Sequence, residues 1–361
     1  MLEYNSMPAE FFKHLDAVKS AIAPTEKLRY INWYIQHGCD LDCFYCKVPK
    51  QKVGIMTPDE RVEALTKIRP LFDKKPMISI IGGEPTLRPE FLIENVQAAH
   101  NAGFLVNLVS NGWGLTPDLI NRLAEAGLQY LAISVDCDAG AEKSNLAKAL
   151  ELHKTTREQG IIPVINTVIT RNTKPDDFKN FTHQVITAGS FISPLVCSPE
   201  VPEGVFSSAA RDAVPTQAQL REIVPWLAWQ KIKTGRVTVT FSYLWTLFNM
   251  GTTQESTKLW HCSPHFRTKD TPGRGYLTLD SDGWIGPCQE FPRQVNLLEV
   301  PAEQLSLQLL DQEFSEVSQN CPGCLYNCYI VEESLHGPAS LAETSTFIQF
   351  SQINTNKPPT S

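Results

Sequence analysis

Between residues 29 and about 197, short apolar runs alternate with stretches of helical periodicity, and this alternation constrains the fold more than any other feature. The runs at 30–36, 77–81, 104–109, 130–135, 161–169 and 190–196 have strand length. Between them lie helical segments at 57–69, 89–102, 116–126, 142–159 and 175–188. Strands separated by helices pair in parallel through right-handed crossovers, so an α/β fold with six parallel strands is expected. Ligands bind such sheets at the carboxyl ends of the strands. The third run ends in Ser110-Asn111-Gly112 and the fourth in Ser134-Val135-Asp136-Cys137; the fifth contains Asn166 and the sixth leads to Cys197. Each polar residue among these also reads as a turn residue satisfying its own backbone.

Just after the first run stands Cys39-Asp40-Leu41-Asp42-Cys43-Phe44-Tyr45-Cys46, a C-x3-C-x2-C spacing. Three thiolates this close suit one corner of a cubic iron–sulfur cluster and leave one of its four irons open. A zinc site is the other reading, although zinc knuckles favour C-x2-C pairs. The second apolar run, Met77-Ile-Ser-Ile-Ile81, ends in Gly82-Gly83-Glu84-Pro85. Paired glycines let a backbone approach a ligand closely, and a glutamate accepts hydrogen bonds from an ammonium.

Together these motifs resemble the radical S-adenosylmethionine superfamily. The resemblance implies a partial (β/α)6 barrel with a [4Fe–4S] cluster on Cys39, Cys43 and Cys46. It further implies S-adenosylmethionine chelating the open iron, the Gly82–Pro85 edge ordering its amino group, and Tyr45 near the adenine. Ser110, Asn111 and Ser134 match positions that contact the ribose or the methionine carboxylate, with Asn166 a further candidate. An external one-electron reductant such as flavodoxin or ferredoxin would reduce the cluster. Cleavage of the cofactor would then yield a 5′-deoxyadenosyl radical that abstracts hydrogen from a C–H bond.

Five more cysteines follow: Cys262, Cys288, Cys321, Cys324 and Cys328. The alternation at Tyr276–Gly283 predicts a hairpin that presents Cys288. Gly283-x4-Cys288 and Cys321-x2-Cys324 resemble the SPASM/Twitch extension, a smaller C-terminal α+β Fe–S unit. That resemblance implies one auxiliary [4Fe–4S] cluster, with Cys262, Cys288, Cys321 and Cys324 as the first ligand set and Cys328 able to replace a member. A structural zinc suits the same residues. Cys137 and Cys197 belong to neither set. They are candidate hydrogen donors to a substrate radical, or small buried hydrophobes. Trp226, Trp229, Trp245 and Trp260 read as core residues.

The expected organisation is a helical preface at 1–28, the barrel at 29–197, a linker and helix at 198–235 with a short strand near 236–241, and the Fe–S extension at 236–361. A net charge of −7 without a Lys/Arg cluster argues against nucleic acid. No apolar stretch approaches the roughly 18 residues a membrane span requires. Ten cysteines without an export signal read as metal ligands in a reducing, cytoplasmic compartment. Two substrate classes compete. The 38 residues before Cys39 are too few for a leader-binding module, which favours oxidation or epimerisation of a small polar natural product over a precursor peptide. A non-catalytic iron–sulfur carrier is a third reading, but it would need neither the open iron nor the Gly82–Pro85 edge.

Overall fold

Proline and threonine punctuate this chain, and the helices begin where they stand. The computed structural model describes residues 27–46, 48, 53–138, 141, 143–197, 212–252, 276–289, 291–316 and 325. Helices α1 (Pro58–Ile68), α2 (Pro89–Asn101), α3 (Pro117–Glu125) and α5 (Pro175–Thr187) all open on proline, whose missing N–H costs nothing in a first turn. Thr57 caps α1 in a reciprocal box with Glu60, and Thr116 caps α3. Helix α4 (Leu146–Glu158) starts later than its periodicity predicts because Asn145 caps it, accepting from the Lys148 N–H at 3.0 Å.

Six parallel strands alternate with these helices: β1 (Leu28–Tyr34), β2 (Phe72–Ile81), β3 (Leu105–Ser110), β4 (Leu128–Ser134), β5 (Ile162–Ile169) and β6 (Phe191–Val196). The order β6-β5-β4-β3-β2-β1 makes the expected open partial barrel. Strand β2 begins five residues before its apolar run. Its polar start is accommodated by a bulge, with Leu28 opposite Phe72 and Tyr30 opposite Met77.

One face of the sheet is apolar. Ile31, Trp33, Ile78, Ile80, Val106, Leu108, Leu131 and Ile133 pack there against Leu65, Leu92, Ile120 and Leu152 of the helices. A sheet covered by helices on both faces would read apolar throughout. Here the opposite face carries Tyr30, Ser79 and Asn107, joined through Ser79 Oγ by two contacts of 2.6 Å. Tyr130, Ser134 and Asn166 alternate onto the same side, and this polar face lines the barrel interior.

Two helices follow the barrel. Helix α6 (Gln217–Thr234) falls within the expected linker and helix at 198–235, but no strand forms at 236–241. Val237 makes a single bridge to Ile192, and α7 (Phe241–Met250) starts at once, capped by Thr240. Trp229 and Trp245 are 58% and 60% exposed, so neither is the core residue expected.

The expected hairpin forms from β7 (Tyr276–Leu279) and β8 (Trp284–Gly286), with β9 (Val295–Asn296) beside it and helix α8 (Leu307–Glu313) after it. These strands continue the barrel sheet, for β7 runs parallel to β1 with Asn32 opposite Thr278. The preface helix, Trp260, Cys262, Cys321, Cys324 and Cys328 lie outside the described residues.

Buried His153 on α4 gives a test of the fold. Its Nδ1 lies 2.9 Å from Ser190 Oγ. Burial first, then the Arg157 charge, brings its pKa down to about 3. Between that value and the ordinary one near 6.5, the unfolded chain binds a proton that the folded chain refuses. Stability is therefore expected to fall as pH drops from about 6.5 towards 3, by up to about 1.4 kcal/mol per pH unit. Urea titrations across this range should show a flatter slope for His153→Asn, and equal slopes would refute the assignment.

Candidate active site

The two sequence motifs are sewn together by backbone. Beyond β1 the chain passes Gln36, His37 and Gly38 before reaching Cys39. Gly83 N–H donates to Gln36 O at 3.0 Å, and Glu84 N–H donates to Gly38 O at 2.7 Å. A Cβ on Gly83 would lie 2.0 Å from Gly38 O, and one on Gly82 would lie 2.2 Å from Gln36 O. The close approach these glycines allow is thus to the start of the cysteine loop. Pro85 follows, buried, at the head of a short 3-10 turn.

Glu84 is 1% exposed, and its carboxylate is occupied by protein donors. Thr86 N–H and Oγ donate to it at 2.9 and 2.6 Å, Ser110 Oγ at 2.7 Å and Asn111 N–H at 2.7 Å. Four donors fill the acceptor capacity of a carboxylate. Glu84 therefore braces the end of β3 against the Gly82–Pro85 turn, where the sequence suggested an acceptor for a ligand ammonium. Ser110 is buried in that brace. Asn111 Nδ2 reaches forward to Asp40 Oδ1 at 2.7 Å, inside the cysteine loop.

Cys39 and Cys43 are half-buried and Cys46 is exposed. Cys46 N–H donates to Cys43 O at 2.9 Å, and Leu41 N–H points to Cys39 Sγ at 3.4 Å. Burial raises the Cys39 pKa, the Asp40 and Glu84 charges add to this, and Lys143 opposes it. Tyr45 turns inward and donates to Asp136 Oδ2 at 2.5 Å. Asp136 Oδ1 also accepts from Val168 N–H at 2.9 Å. Burial raises the Asp136 pKa against the pull of Lys143. Tyr45 packs with Cys43, Val168, Ala213 and Cys197, the last fully buried. Burial, then Asp136 and Asp138, pushes the Cys197 pKa up to about 12; burial with the same carboxylates does so for Cys137. Both are protonated thiols at neutral pH. Ser134, the last residue of β4, is the register partner of Asn166 within β5, apart from the Glu84 brace.

A second polar cluster joins β1 to the hairpin, and the sequence reading missed it. His37 Nε2 lies 2.5 Å from Asp280 Oδ1, and Tyr34 OH donates to Gln289 Oε1 at 3.1 Å. Asn32 Nδ2 donates to Tyr276 OH. Burial would raise the Asp280 pKa, but His37 and Arg293 outweigh it and hold the carboxyl below its ordinary value. Cys288 is buried just after β8, next to Gln289. The signal for this seam was the run Asp280-Ser281-Asp282-Gly283 at the hairpin turn, but its partner lies 243 residues away.

The thiols fit an iron–sulfur cube. Three soft thiol donors share one loop held by backbone bonds, the donor set that an iron–sulfur cube takes. Residues 33–185 match the family model described as the Radical SAM superfamily, and the chain carries a radical SAM domain. The cofactors of that superfamily are a [4Fe–4S] cluster and S-adenosylmethionine.

Over 118 residues the chain is 34% identical to an AdoMet-dependent heme synthase of Methanosarcina barkeri, covering 32% of this chain and 33% of that one. Over 175 residues it is 27% identical to a PqqA peptide cyclase of Ruegeria pomeroyi, covering 45% of each. The matched stretches span less than half the length of these curated relatives. SuiB of Streptococcus suis, solved with S-adenosylmethionine, superposes with a TM-score of 0.59 at 16% identity over 89% of this chain and 75% of its own. Native anSMEcpe, solved with AdoMet and the Cp18Cys peptide, gives 0.57 at 17% identity over 92% and 100%. These likenesses show the fold. No helix among the described residues is long and apolar enough to cross a membrane.

Proposed function

We propose that this chain is a peptide-modifying radical S-adenosylmethionine enzyme, with Cys39, Cys43 and Cys46 holding the cofactor cluster. The observation that carries the reading is the backbone docking of the Cys39 loop on Gly83 and Glu84, which gives the thiols a fixed bed at the barrel mouth. When bound, the cluster and S-adenosylmethionine supply a radical able to abstract hydrogen from an unactivated C–H bond. The chain's residues then have three tasks: to bind, to orient and to exclude water. The polar inner face around Ser79, Asn107, Ser134 and Asn166 offers neutral donors and acceptors suited to amides. Strands β7 and β8 close the β1 side of the barrel.

The peptide class rests on the match to PqqA peptide cyclases, at 27% identity in one organism and 33% over 148 residues in Bradyrhizobium diazoefficiens. It takes precedence over the small polar natural product expected from the short stretch before Cys39. Cys288, placed on a hairpin of the same sheet, supports an auxiliary cluster that would accept an electron from the substrate in an oxidative reaction. Cys262, Cys321, Cys324 and Cys328 would complete its ligands. On an epimerising route, the Cys197 or Cys137 S–H would return the hydrogen.

The test uses the full chain reconstituted without oxygen, with S-adenosylmethionine, dithionite and short synthetic peptides encoded beside its gene. Peptide-dependent 5′-deoxyadenosine with loss of two hydrogens from the peptide is expected. 5′-Deoxyadenosine that no peptide stimulates would sink the peptide class and leave the radical chemistry standing.

A further inference from the structure

We propose that Lys143 is the counter-charge of the Cys39 loop, a fixed cation that sets how readily the cluster on Cys39, Cys43 and Cys46 accepts an electron. Lys143 lies on the loop between β4 and α4, and its carbonyl accepts from Asp136 N–H at 2.7 Å. That bond ties its backbone to the end of β4. Its ammonium stands 5.5 Å from the centre of the ring of Tyr45, the residue before Cys46. Tyr45 in turn is anchored to Asp136, so the lysine and the cysteine loop share one support. Cys43, Asp136, Cys46 and Cys39 all act on it electrostatically.

The charges around the loop make this cation matter. A [4Fe–4S] core at 2+ with three thiolates carries one net negative charge, and one electron from the external reductant makes it two. Asp40 and Glu84 face Cys39 and Asp136 lies beneath Tyr45, so these neighbours add only negative charge. Net charge around a cluster is one of the terms that set its potential. Removing the cation should therefore disfavour the reduced state.

The measurement is the ratio of reduced to oxidised first cluster by electron paramagnetic resonance, in reconstituted full chain at one ambient potential set by mediator dyes. S-Adenosylmethionine is added afterwards to mark which signal belongs to that cluster. Lys143→Met and Lys143→Gln are expected to lower the ratio about tenfold, equivalent to about 59 mV for one electron. Lys143→Arg, which keeps the charge, is expected to stay within about twofold of wild type. Loss of iron in the Met and Gln variants with retention in Arg would also support the counter-charge. An unchanged ratio in either neutral variant at full iron content overturns it, as does equal loss of iron in all three variants. A wild-type chain that binds no reducible cluster would overturn the ligand assignment and this proposal with it.

Discussion

Alanine at Cys39, Cys43 and Cys46 together is expected to abolish S-adenosylmethionine cleavage and to remove about four irons per chain, one cube's worth. The effect should be complete, because nothing else in the described loop supplies a soft ligand. Iron and sulfide analysis after anaerobic reconstitution checks it. If the C-terminal cysteines hold a second cube, wild type should contain about eight irons and the triple variant about four. Wild type with about four irons and a variant with none would assign the C-terminal cysteines to zinc or to no metal. Oxidative peptide chemistry would then lose its internal electron acceptor. A triple variant that still cleaves S-adenosylmethionine would end the assignment.

Glu84→Ala is expected to cost on the order of 4 kcal/mol of stability, even before any cofactor is bound. The substitution strands the Thr86 N–H and hydroxyl, the Ser110 hydroxyl and the Asn111 N–H in a site closed to water. Each stranded group costs about 1–3 kcal/mol, offset where the vacated space admits water. Domains are stable by only about 5–15 kcal/mol, so this single change removes a large share. Ser110→Ala takes away one donor to Glu84 and the acceptor of the Gly112 N–H, so about 2 kcal/mol is expected. Urea unfolding of the metal-free chain separates the two. A Glu84→Ala loss no greater than that of Ser110→Ala would show that the carboxylate is held for the ligand and not for the fold.

The contrast between Glu84 and the strands shows what the amino-acid sequence makes readable. Apolar runs and proline-opened helices are local patterns, and the six barrel strands lie within two or three residues of their predicted positions, except for the early start of β2. The hairpin before Cys288 was also legible, from its alternation and Gly283. The missed features depend on distant partners. Glu84 is legible as an acceptor, but its donors Ser110 and Asn111 stand 26 and 27 residues away. The Tyr45–Asp136 bond spans 91 residues, and His37–Asp280 spans 243. The run at 236–241 looked like a strand because Val237 and Val239 alternate with polar residues. Thr240, three residues before Tyr243, was the cap signal that revealed helix α7 instead.

The parallel pairing of β7 with β1 also bears on how this protein is built as a covalent object. An open sheet has two rims, and an uncovered rim is a template on which another chain can polymerise. Here the rim beside the cysteine loop is capped by the chain's own later residues, Tyr276–Leu279 on Tyr30–Trp33. The extension is therefore the selvedge of the barrel, the woven border that keeps the cloth from fraying. A fragment cut before Tyr276 would bare the Tyr30–Trp33 edge of β1, so a radical domain made without its border is expected to self-associate through that edge.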